Sequence, residues 1–175
     1  MLKGFILGIV TVCLIAVAGT YWFVTSGSMS AGQDAGPLRL ERWAAKKSLR
    51  ATMRREARDL KSPLQPDTGN LQNGAVLYVQ HCQVCHGGPS GMDSAIAKGL
   101  SPKAPQLAKH GVEDDLEGTI YWKTAHGIRF TGMPGFRESL SEQEIWQVSL
   151  FLKRMDSSEA QNAWTSAGAR EKANP

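Results

Sequence analysis

Residues 4–24, GFILGIVTVCLIAVAGTYWFV, form an apolar run without a charged residue. A helix needs about 20 such residues to span a bilayer. Tyr21, Trp22 and Phe23 close the run with side chains suited to the membrane–water interface. Lys3 precedes it, so the natural orientation keeps Lys3 inside and places the remainder outside the cytoplasmic membrane. A cleaved signal peptide is the competing reading, because Ala16-Val17-Ala18 fits a cleavage site. The run continues six residues past Ala18, which favours an uncleaved anchor. Positive charge from Arg39 onward argues mildly against export, but it begins some fifteen residues after the span.

The pattern then changes several times. Residues 25–37 are small, polar and Gly-rich, as a flexible linker is. Ala45, Leu49, Met53, Ala57 and Leu60 recur at helical spacing within residues 38–60. That helix either rests on an anionic lipid surface or a partner, or is a solvated spacer, and Pro63 and Pro66 end it. Asp67 or Asn70 can cap a helix over about 71–81, with Gly74 and Tyr78 on one face. A further helix is expected over 115–126, marked by Leu116, Ile120 and Trp122 or Lys123. Ser141-Glu-Gln-Glu144 reads as a capping box, followed by the stripe Ile145, Val148, Phe151 and Leu152 to about Met155. No segment alternates with period two over a useful length, so an all-α fold is expected. The stretch from Gly87 to Asp114 lacks periodicity. After Asp156 only Trp164 interrupts a small, polar tail, which is expected to be a loose helix or disordered. The organisation is therefore an anchor (1–25), a linker and basic connector (26–69), a helical domain (70–155) and a tail (156–175).

Charge sharpens this division. Of the 175 residues, those from Arg39 to Lys61 hold nine Lys and Arg against three acids, whereas Leu71 to Met155 hold eight of each sign. The net charge of +4 thus belongs to the connector. A nucleic-acid partner is disfavoured, since the basic charge would have to lie on the folded module. About 85 residues make a small domain, and a chain that small usually needs help to build a stable core.

The candidate chemistry lies in HCQVCHGG, residues 81–88. The cysteines are Cys13, inside the apolar run, and the pair Cys82 and Cys85. A structural zinc site would need a second pair or closely spaced histidines, and His110 and His126 are too far apart. A thioredoxin-like dithiol would follow a strand in a βαβ unit, and this pair follows a helix. The remaining reading of C-x-x-C-H is haem attachment. Two thiols two residues apart can add to the two vinyl groups of one porphyrin, and His86 then lies under the iron. Met133 in TGMPGF, 47 residues beyond His86, is the candidate sixth ligand, because it sits in a loop where a core-filling methionine would not. Met92 lies too close to His86, Met155 ends a helix, and His81 is a surface position. His110 and His126 remain possible ligands.

Over about residues 70–155 the chain resembles the class I, mono-haem c-type cytochromes. The resemblance rests on GAVLYVQHCQVCH, APQL, GIRFTGMPGF and LSEQEIWQVSLFLK, in that order. It implies three main helices around one covalently bound haem c, the first and last crossing at Gly74, with Tyr78 near Val148 and Phe151. It implies that the Pro105 carbonyl accepts a hydrogen bond from the His86 ring, as groups behind a metal-bound histidine do. Pro102 and Pro105 both precede Leu107, and Pro105 matches the P-x-L element better. The resemblance also implies electron transfer rather than catalysis. His86 and Met133 leave iron no open position, and redox proteins would be the partners, at the periplasmic side of the membrane. A haem-bearing subunit of a larger oxidoreductase is the alternative, followed by a gas sensor or peroxidase-like enzyme.

Overall fold

The computed structural model describes residues 2–28, 31–89, 94–109, 111, 112 and 114–173. Met92 and His110, weighed above as ligands, lie outside them. The described residues are all helix, turn and loop, in two compact units, Met1–Gly36 and Pro37–Pro175. In the first unit, helix α1 spans Leu2–Thr25 and buries none of its residues. It is long and apolar enough to cross a membrane. Its threonines satisfy their hydroxyls internally, as lipid would demand: Thr11 donates to Leu7 O at 2.9 Å and Thr20 to Ala16 O at 2.8 Å.

In the second unit, α2 (Arg39–Thr52) runs without interruption into a π-helical turn, Met53–Ala57. Such a turn rotates the following residues relative to the helix before it. Here it delivers Ala57, which is fully buried, onto a later helix. The domain helices follow: α3 (Thr68–His81), the short α4 (Gln83–His86) and α5 (Ala95–Gly99), then α6 (Glu117–His126), α7 (Glu142–Lys153) and α8 (Ser158–Ala173). Caps explain two starts. The Asp67 carboxylate accepts from Asn70 N–H at 2.8 Å, and Ser141 with Glu144 forms the expected reciprocal box.

Helix α3 packs against both α7 and α8. It crosses α7 at Gly74, where a Cβ would fall 2.2 Å from Gln147 O, so only glycine permits this approach. Tyr78, Phe151 and Trp164 then meet in one aromatic cluster. The Tyr78 ring lies 5.5 Å from Phe151 and 5.2 Å, edge to face, from Trp164. The C-terminal segment is accordingly a packed helix rather than a loose one. Its stripe is Ala160, Ala163, Trp164 and Ala167, all buried, so small side chains bring its backbone close to α3 while Trp164 supplies the volume.

At its C-terminal end the connector packs on the domain. A Cβ on Gly118 of α6 would lie 2.2 Å from Ala57 O and 2.6 Å from Leu60 O. Beside this contact, Trp122 Nε1 donates to Glu56 Oε2 at 3.1 Å. Leu116, expected to mark a face of the helix over 115–126, is instead the exposed residue that precedes α6.

Candidate haem site

The CQVCH segment forms one tight turn of helix after α3. Cys82 N–H and His86 N–H donate to Tyr78 O and Cys82 O, each at 2.9 Å, and the turn ends at Gly87, whose φ of 82° suits glycine. Both thiols are half-buried and unpaired. Burial, and after it the neighbouring Cys85, pushes the Cys82 thiol up to about 12.

The His86 ring is fixed from behind. Its Nδ1 lies 2.9 Å from Pro105 O. A carbonyl only accepts, so Nδ1 carries the proton and the neutral ring leaves the Nε2 lone pair available to a metal. Burial holds the imidazole below its usual value, against the opposing pull of the Pro105 carbonyl, and so favours the neutral, ligating form. The loop that supplies Pro105 is itself tied to the turn, since Leu107 N–H donates to His86 O at 3.1 Å.

Met133 stands in a loop fastened to the end of α6. Its N–H donates to Thr131 Oγ1 at 3.1 Å, and its carbonyl accepts from Ile128 N–H at 3.2 Å. The chain beyond it returns over the last carbonyls of α6, which have no partner within the helix: Phe136 N–H donates to Thr124 O at 3.0 Å and Arg137 N–H to Ala125 O at 3.2 Å. Gly127, at φ 68°, makes room for this return, because a Cβ there would sit 2.6 Å from Met133 O. Leu100, just before the Pro105 loop, meets this loop: its Cδ2 lies 2.3 Å from where a Cβ of Gly132 would be.

The other residues weighed as ligands stand elsewhere. Met155 is buried in the core, and His81 is exposed beside Phe136. His126 stacks on Trp122 at 4.5 Å, near the connector's end. A groove of about 480 Å³ there is lined by Glu56, Trp122, His126 and Trp146 among others, and by none of Cys82, Cys85, His86 or Met133.

Three contacts to the turn were not visible as motifs. Trp164 Nε1 donates to Gln83 Oε1 at 3.1 Å, Ser94 Oγ donates to Val84 O, and Gln106 Nε2 donates to Cys85 O at 3.3 Å. Only the lone tryptophan in a polar tail signalled any of them. Gln106 Oε1 is buried without a partner among the described residues, and a Cβ on Gly87 would fall 2.2 Å from it.

The donor set fits a haem: two thiols on one helical turn, a neutral imidazole with one free nitrogen, and a thioether on a constrained loop. Apolar side chains left uncovered here, Val84 on the turn, Ile96 on α5 and Phe130 in the Met133 loop, suit an apolar macrocycle. Residues 69–152 match the family model described as Cytochrome C oxidase, cbb3-type, subunit III. This segment resembles a mono-haem c-type cytochrome. The matched segment covers somewhat less than half of the chain. It supports a haem cofactor and a haem-based electron carrier, and it points to electron transfer rather than catalysis. No curated protein and no solved structure matches the chain.

Proposed function

We propose that the chain is a membrane-tethered one-electron carrier with a single c-type haem, joined through Cys82 and Cys85 and ligated by His86 and Met133. The haem would supply reversible one-electron cycling of iron, with a thioether ligand and burial favouring the ferrous form. The protein's part is to fix the ligands. Pro105 O sets the His86 tautomer, the Thr131 and Ile128 bonds hold the Met133 backbone, and Gly87 and Gly127 allow the two turns. Six ligands leave no position for a substrate, which favours outer-sphere transfer over catalysis. Helix α1 would hold the domain at the outer face of the cytoplasmic membrane, where it relays electrons between respiratory components. The tether raises the effective concentration near membrane partners.

The His86–Pro105 hydrogen bond carries this reading most, because it prepares the histidine of the attachment motif for a metal. The test is the near-infrared sulfur-to-iron band of the oxidised protein purified from membranes. Met133→Ala should abolish the band, leave the haem covalently attached and open the iron to carbon monoxide. An unchanged spectrum would mean another ligand, and a wild-type protein without the band would favour a gas sensor or peroxidase-like enzyme. The matched family's description favours a second reading, a haem-bearing subunit of a larger oxidoreductase complex. A stoichiometric partner retained after mild solubilisation would support that reading over the free carrier.

A further inference from the structure

The basic connector helix carries a surface that the haem site does not use. No residue of α2 is buried. By helical period, Arg39, Leu40, Trp43, Lys46, Lys47 and Arg50 share one face, and all six are exposed. Trp43 is 59 % and Leu40 72 % exposed, in the middle of four cations. Glu41, the only acid of α2, falls on the other side, where its carboxylate accepts from Leu38 N–H at 3.2 Å. Half-buried Ala45 and Leu49 lie away from the basic face.

We infer that this face docks on the anionic headgroups of the membrane, with Trp43 and Leu40 inserted at the interface and Arg39, Lys46, Lys47 and Arg50 pairing with lipid phosphates. The inference rests on the reading of α1 as an anchor. Two independent features select lipid as the occupant. The first is chemistry: a tryptophan ringed by long cationic side chains is the pattern of an interfacial helix, where the ring sits at headgroup depth and the cations reach the phosphates. The second is distance. Thirteen residues separate Thr25 from Arg39, so the linker reaches at most about 45 Å fully stretched, and about 20 Å on average for a flexible chain. The face is thus confined to the neighbourhood of the bilayer.

The docked end of the connector gives that contact a consequence. Helix α2 is continuous with the turn that seats Ala57 and Leu60 against Gly118. Lipid contact along α2 therefore sets how α6 and the Met133 loop that follows it stand relative to the membrane.

The test uses the full-length, haem-loaded protein reconstituted into vesicles of phosphatidylcholine with bromine-labelled acyl chains, with or without phosphatidylglycerol. The emission of Trp43 is the difference between wild type and Trp43→Phe, which keeps the other four of the five tryptophans. That emission should be quenched in the anionic vesicles and not in the neutral ones. Each cation near an anionic surface multiplies the surface-bound to free ratio about five-fold, so K47Q/R50Q should lower it about 25-fold while the haem spectrum stays unchanged. Equal quenching in both vesicle types would overturn recognition of the anionic surface. Protein that floats with both vesicles while Trp43 stays unquenched would overturn the inference alone, leaving the face solvated or free for an acidic protein. Protein that stays in solution with both would remove the anchor reading and the inference together.

Discussion

Replacing Trp164 by alanine tests whether the C-terminal helix is part of the folded domain. Trp164 is 1 % exposed, meets Tyr78 and Phe151 edge to face at 5.2 and 5.9 Å, and donates to Gln83 at 3.1 Å. A buried tryptophan removes about 200 Å² from water, worth about 5 kcal/mol at the usual coefficient, and a compact unfolded state trims that to about 3–4. The Gln83 hydrogen bond adds about 1 kcal/mol. Trp164→Ala should therefore cost about 4 kcal/mol, in line with the general range for tryptophan in a core. For a unit of this size that lowers the melting temperature by about 15 °C. Release of α8 limits the loss, because a detached helix no longer strains the remaining core. If that happens, Trp164→Ala and a truncation after Asp156 should melt at the same temperature. Trp164→Phe keeps most of the apolar contact but loses the hydrogen bond, and should cost about 1–2 kcal/mol. The assay is thermal unfolding of the haem-loaded protein, followed in parallel by helical circular dichroism and by the haem absorption. A Trp164→Ala protein that melts within about 3 °C of wild type would refute the packing of α8.

Two further outcomes follow from the helix contacts. Gly74→Ala puts a methyl 2.2 Å from Gln147 O and 2.8 Å from Phe151 Cβ; because the obstacle is backbone, the crossing must open, and urea unfolding should show a loss of about 3 kcal/mol. Gly168→Ala, in open space on α8, is the matched control and should not destabilise. The Ser141 hydroxyl and N–H, bonded to Glu144 at 2.7 and 2.8 Å, hold its carboxyl below the usual value of 4.5. A depressed carboxylate contributes stability above its unfolded pKa and loses it as pH falls through the folded one. Glu144→Gln should thus be less stable than wild type at neutral pH, and the gap should close below about pH 4.5 in urea titrations; a gap independent of pH would show that the carboxylate charge does nothing at this cap.

The parts of this structure that could be read in the sequence are those where apolar side chains or capping residues mark a period. Helix α7 is announced by Ser141 and Glu144 and by Ile145, Val148, Phe151 and Leu152. Helix α3 is announced by Asp67 and the spacing of Gly74 and Tyr78. What escaped reading is built from small residues, whose contribution is closeness rather than hydrophobic area. The α8 stripe is three alanines and one tryptophan, so its average apolarity is low although its contact with α3 is extensive. The same holds where the connector meets α6, at Ala57 and Gly118: neither residue stands out, yet each permits backbone contact. At the site, the resemblance pointed through the P-x-L element to Pro105, and the Pro105 carbonyl lies 2.9 Å from His86 Nδ1. Gln106 left no trace, because a glutamine between Pro105 and Leu107 looks like any loop residue until the fold places its amide on Cys85 O.

These contacts have a common address. Every residue from Gln83 to Gly87 is held from outside the turn: Gln83 by Trp164 of α8, Val84 by Ser94, Cys85 by Gln106 and His86 by Pro105 and Leu107 of one loop, and Gly87 by Tyr78, whose hydroxyl donates to its carbonyl at 2.8 Å. Short helical turns such as α4 have little stability of their own, since a helix this short cannot repay the entropy of its nucleation. The turn is ordered because six external bonds fix it. For the carrier proposed above, such a frame has a direct use. Electron transfer is fast when the ligands move little between the two oxidation states, and a histidine whose backbone and ring are both tied has little freedom to move. Trp164 and Tyr78 pack on each other while each bonds to one end of the turn, so the core that stabilises the domain and the brace that holds the site are the same set of side chains.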